Sequence, residues 1–175
     1  MIHRNLTPRP SRLDKASFIA GFGDIYEHSP WVAELAWDCG LDERHDTPEH
    51  LAEVMGRMLT EADAESQLAV IRAHPDLAGK AAVADELTDD STREQVGAGL
   101  DQCSAEEMAR FERLNAAYRA KFGFPFVMAV KGSDRLAILD AFEARLPNDP
   151  DKERHTAVEQ INRIALFRLQ SRAEG

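Results

Sequence analysis

The sequence predicts an all-α protein, a single-domain, irregular bundle of about eight helices with no sheet. Apolar residues recur at spacings of three and four along most of the chain, which is the period of one helix face. Helix start and stop residues punctuate those runs at helix-length intervals. No stretch alternates apolar and polar residues between hairpin turns, as a half-buried strand would. The 175 residues suit one domain over 1–175, because a single core serves about 100–200 residues.

The segment from Leu13 to Tyr26 places Phe18, Ile19, Phe22 and Ile25 on one helix face. Pro30 opens a second helix behind Ser29 as cap, and Gly40 ends it. Thr47 and Pro48 repeat the signal for a third, with Leu51, Val54, Met55, Met58 and Leu59 inward. A fourth spans about Ala64 to Ala73, with Leu68 and Ile71 apolar. His74 then precedes Pro75, which disfavours helical geometry at His74. Residues 74–90 lack a period and read as a loop, long enough to call for a functional explanation. Helix resumes near Ser91. Ser104 and Glu107 form a capping box for a helix reaching Phe122, which Gly123 and Pro125 stop. Phe124 to Val130 reads as extended or irregular. Ser133 caps a helix to about Leu146, and the last helix occupies about Asp151 to Arg172.

Composition narrows the function classes. Hydrophobic residues are 43% of the chain, too many for a disordered protein. A net charge of −10 with no basic stretch argues against nucleic acid and against anionic membranes as partners. It leaves open an anionic small molecule, because a pocket is free to be locally positive. No apolar run approaches the ~18 residues of a membrane span, and the N-terminal residues lack a signal-peptide core. The expectation is a soluble, cytoplasmic protein. Cys39 and Cys103 form no CxxC pair, and His45 and His50 lack HExxH spacing, so no metal site is expected.

Four segments carry candidate chemistry. IRAHPDLAGK (71–80) points an imidazole, His74, out of regular structure, followed by an acid, a Gly and a Lys. Its purely structural alternative is a histidine at a helix C-terminus, favoured by the dipole. STREQ (91–95) gathers Ser91, Glu94 and Gln95 at a helix start, where backbone N–H groups bind anionic oxygens. Its structural alternative is a capping box formed by Ser91 and Glu94. KFGFPFVMAVKG (121–132) is apolar and non-helical, so its backbone groups need partners, and a ureide-rich ligand would supply them. Core packing by Phe124, Phe126 and Val127 is the alternative. In the last helix Arg168 continues the stripe of Val158, Ile161 and Ala165. An inward Arg must be paired or must bind something, a carboxylate or a planar urea-like oxygen being suitable. The alternative is a buried Arg–Glu pair, for instance with Glu94.

Taken together, these segments resemble the OHCU decarboxylase family, OHCU being 2-oxo-4-hydroxy-4-carboxy-5-ureidoimidazoline. The resemblance runs through FGDIYEHSPWVAE (22–34), HPDLAGK (74–80), STREQVGAGLD (91–101), FERLNAAYRAKFGFPFVMAVKG (111–132) and EQINRIALFRL (159–169). HPDLAGK, then S-x-x-E-Q, then FGFPFV, in that order and spacing, is specific.

The resemblance implies an all-helical, homodimeric carboxy-lyase of urate breakdown, with no metal and no organic cofactor. Its product is (S)-allantoin. Catalytic roles would fall to His74 and Glu94. Substrate contacts would come from Pro75, Ser91, Gln95, the backbone of Phe126, Val127, Met128, Ala129 and Val130, and Arg168. The instability of OHCU suggests a functional link to 5-hydroxyisourate hydrolase. Two other classes compete: an enzyme acting on another ureide, and a non-enzymatic acidic helical interaction module.

Overall fold

The computed structural model describes residues 4–78 and 87–174. Among them are eight α-helices, with no residue assigned to a strand. The helices are α1 (Lys15–Phe22), α2 (Trp31–Asp38), α3 (Pro48–Thr60), α4 (Ala64–Ala73), α5 (Asp89–Gly97), α6 (Ala105–Phe122), α7 (Arg135–Arg145) and α8 (Pro150–Glu174). Short 3₁₀ turns at Pro10–Arg12, Glu43–Asp46 and Leu100–Gln102 link some of them. No helix is long and apolar enough to cross a membrane among the described residues. The chain divides into two compact units, one of Met1–Ala73 with Ile161–Gly175, the other of His74–Gln160.

In the first unit, Asp14 caps α1 by accepting from the Ser17 N–H at 2.8 Å. The helix is shorter than its apolar period suggested. It ends at Phe22, and Ile25 and Tyr26 are buried from irregular backbone beyond it. The expected cap at Ser29 is corrected. The Ser29 hydroxyl donates back to the Glu27 carbonyl at 2.8 Å, and Pro30 itself stands at the cap position of α2. The signal for α3 holds as read, with Thr47 as cap and Pro48 as the first helical residue. The face of α4 is shifted. Gln67, Val70 and Ile71 are buried, and Leu68 is only half-buried. Gln67 turns inward because its Nε2 donates to the Leu59 and Thr60 carbonyls, both at 3.1 Å, at the C-terminus of α3. Asn162 of α8 fits against Gly56, where a Cβ would stand 3.2 Å from its side chain, and accepts from the Tyr26 hydroxyl at 2.8 Å.

In the second unit, the Ser104–Glu107 capping box of α6 forms in both directions, at 3.1 and 2.8 Å. Gly123 ends α6 at φ 76, a left-handed conformation that favours glycine. Asp134, one residue beyond the expected Ser133, caps α7 by accepting from the Ala137 N–H at 2.8 Å. Residues 124–130 run without helix or strand, with Phe124, Phe126 and Val127 buried. Phe126 stacks on Phe142 with ring centroids 3.9 Å apart.

Candidate active site

Helix α4 ends at Ala73, immediately before the X-Pro step, so His74 leaves the helix at the position the sequence indicated. Its side chain is 6% exposed and Nε2 is shielded from solvent. Side chains of the second unit hold the turn that follows. Gln95 Nε2 donates to the Asp76 carbonyl at 3.2 Å, and Gln95 Oε1 accepts from the Ala78 N–H at 3.0 Å. Asn115 Nδ2 donates to the Leu77 carbonyl at 3.0 Å. Arg119 Nε donates to the Asp76 carboxylate at 3.0 Å. Ala78 sits at φ 52, a left-handed conformation that costs a non-glycine residue about 1–2 kcal/mol. The surrounding contacts over-determine it. Gly79 and Lys80, which the sequence grouped with His74, lie outside the described residues, as do residues 81–86 of the expected loop.

The capping-box reading of Ser91 and Glu94 is corrected. Helix α5 begins two residues earlier, and Thr88 is its cap, accepting from the Ser91 N–H at 3.2 Å. Ser91 therefore stands within the first turn, with Gln95 one turn later on the same face. Both are 4% exposed, and Glu94 is half-buried. The expected anion-binding helix start is displaced with the cap, because the first turn opens on Asp89 and Asp90.

The 126–130 segment obtains some of its hydrogen-bond partners from the protein. Arg145 donates to the Val127 carbonyl at 2.7 Å, Gln160 accepts from the Ala129 N–H at 2.9 Å, and the Ser133 N–H reaches the Val130 carbonyl at 2.9 Å. Arg145 also lies over the Phe126 ring, 4.3 Å from its centroid. The same guanidinium pairs with Glu153 at 2.8 Å, a carboxylate that is 0% exposed and that accepts from the Tyr118 hydroxyl at 2.5 Å and from Asn148 at 2.9 Å. Burial works against the Glu153 charge. The hydrogen bonds from Arg145, Tyr118 and Asn148 outweigh it and hold the carboxyl below its ordinary value. Burial, reinforced by that carboxylate, pushes the Tyr118 phenol well up. The cluster thereby anchors the Val127 carbonyl and the Phe126 ring after FGFP.

Arg168 is 4% exposed, as its place on the apolar stripe required. It lies in the first unit and is indeed paired, with Glu27 as an acid partner. The two side chains meet at 2.9 Å, and Arg168 also donates to the Ile25 carbonyl at 3.1 Å. Sequence reasoning missed Glu27, although it stands inside the FGDIYEHSPWVAE segment. It also missed Asn115, which breaks an inward stripe between Phe111 and Tyr118, the signal that had singled out Arg168.

Comparison with known proteins decides the family. A family model described as OHCU decarboxylase matches residues 11–170. The chain belongs to the OHCU decarboxylase family. A 2-oxo-4-hydroxy-4-carboxy-5-ureidoimidazoline decarboxylase of Haloferax volcanii is 42% identical over 171 residues, covering 98% of both chains. A uric acid degradation bifunctional protein of Bacillus subtilis is 36% identical over 159 residues, which are 91% of this chain and 31% of that protein. Among solved structures, an (S)-allantoin synthase superposes with a TM-score of 0.72 at 30% identity. The match takes in 95% of this chain and 54% of that one, so the chain spans about half of its length. OHCU decarboxylase relatives are named as enzymes, and the interaction-module alternative is set aside.

Proposed function

We propose that this chain is a carboxy-lyase that converts OHCU to (S)-allantoin in urate breakdown, working without a cofactor. The observation that carries the reading is His74. It is a buried imidazole on a turn held from several sides, in a chain that matches the OHCU decarboxylase family over residues 11–170. In this reading the single domain is residues 1–175, and the protein acts as a cytoplasmic homodimer with a functional link to 5-hydroxyisourate hydrolase.

The substrate explains why few groups suffice. Its carboxylate-bearing carbon also carries a hydroxyl and adjoins a ring C=N bond. When the bond to the carboxylate breaks, carbon dioxide leaves and the electron pair moves into the ring as the C=N nitrogen takes a proton. The resulting enol then gives up its hydroxyl proton while the neighbouring carbon is protonated on one face, forming (S)-allantoin. Such a substrate carries its own electron sink, the task that pyridoxal phosphate or thiamine performs elsewhere.

Placement and electrostatics are what remain for the protein. His74 serves as general acid/base at the substrate hydroxyl or ring, imidazole being the side chain most often used for such proton transfer. Glu94 orients the hydroxyl or polarises the departing carboxylate. Pro75, Ser91, Gln95 and the 126–130 backbone contact the hydantoin and ureido groups. Arg168 recognises a carboxylate or ureido oxygen, with Glu27 setting its aim.

The test is product identity. Freshly generated OHCU is supplied, and (S)-allantoin is followed by circular dichroism together with carbon dioxide release. Formation faster than spontaneous decay supports the assignment. A rate equal to spontaneous decay, or a racemic product, overturns it.

A further inference from the structure

Four consecutive chain positions, 75 to 78, follow His74 without helix or strand, yet their polar groups are held at three successive residues. Two of the holding side chains, Asn115 and Arg119, lie one turn apart on α6. Asn115 takes the Leu77 carbonyl at 3.0 Å, and Arg119 takes the Asp76 carboxylate at 2.9–3.3 Å. Residues at i and i+4 share one face of a helix, so α6 presents two donors side by side to this turn.

Asn115 is the informative member. It is 7% exposed, and its Oδ1 is buried without a hydrogen-bond partner among the described residues. A half-satisfied buried amide is unfavourable, and a leucine at this inward position would pack without that penalty. What asparagine does and leucine cannot is donate to Leu77, three residues after the imidazole. Arg119 fits the same purpose, since its planar fork fixes the Asp76 carboxylate in direction as well as distance.

We infer that Asn115 and Arg119 form a two-point clamp that sets the aim of His74, making both positioning residues for the decarboxylation. The inference rests on His74 as the acid/base. The clamp acts on rate because a displacement of about 1 Å at a reacting group costs on the order of 10²-fold.

The experiment compares Asn115→Leu, Arg119→Gln, Arg119→Lys and His74→Ala on freshly generated OHCU, with thermal unfolding run alongside. Asn115→Leu lowers kcat about 10²-fold and Arg119→Gln about 10-fold, with KM changed by less than about threefold. Arg119→Lys, which keeps a cation on Asp76 but loses the fork, recovers only part of the loss. The imidazole resonances of His74 shift in the nuclear magnetic resonance spectra of the first two variants, which a loss of global stability alone does not produce. Should Asn115→Leu fail to fold, Arg119→Gln decides, because that side chain is 48% exposed. Unchanged kcat in folded clamp variants, or a change confined to KM, overturns the clamp while leaving His74 in place if His74→Ala is inactive. Parental turnover by His74→Ala overturns both readings.

Discussion

Arg168 and Glu27 meet at 2.9 Å with side chains only 3% and 2% exposed. Removing one member of such a pair takes away a buried counter-charge, at a cost of about 3–5 kcal/mol. Glu27→Gln is therefore expected to lower the unfolding free energy by about that amount, measured by urea denaturation. A loss below about 1 kcal/mol would be the size of an exposed pair and would contradict the burial.

Arg168→Lys keeps the charge and loses the planar fork. Its main effect is expected on KM for OHCU, with kcat changed less. An unaltered KM in a folded variant removes Arg168 from substrate recognition.

His74→Ala is expected to lose about 10²–10⁴ in turnover, the usual contribution of a positioned acid/base, while retaining its circular dichroism spectrum and a cooperative unfolding transition. Near-normal turnover excludes the imidazole from the mechanism.

Glu153 makes stability depend on acid pH. Its folded carboxyl lies below the ordinary value of 4.5, so the unfolded chain binds the proton more tightly. The stabilisation is complete above 4.5 and is lost as pH falls through the lower, folded value. Glu153→Gln is expected to flatten the pH dependence of unfolding between 4.5 and the lower, folded value, and to lower stability near neutrality, since Arg145 loses its buried counter-charge. An unchanged acid limb would assign the effect to other carboxyls.

Gln67 closes two carbonyls at the end of α3. Gln67→Leu leaves both without that donor and is expected to cost about 1–3 kcal/mol in chemical denaturation. A neutral result would show that water replaces the amide.

The legible features were the local ones. Thr47–Pro48, Ser104 with Glu107, and Gly123 act within one helical turn, so their residue types specify helix ends without help from the rest of the chain. Where two local solutions compete, the choice was not legible. Ser91 and Glu94 match a capping box, yet Thr88 stands earlier with an equally suitable hydroxyl, and α5 starts there. At Ser29 the hydroxyl had a nearer carbonyl to serve. Gln67 gave no local signal because its use depends on the end of the preceding helix.

By itself the sequence determined the all-helical class, the exit of His74 from α4 at a proline, and the inward place of Arg168, since periodicity and backbone sterics are properties of neighbouring residues. Partnership was decided only in three dimensions. Glu27 meets Arg168 across 141 positions, Asn115 reaches Leu77 across 38, and Arg145 reaches Val127 across 18. A buried charge or amide demands a partner wherever the fold can bring one. The demand is written in residue type and spacing, and the choice among distant candidates is made by packing.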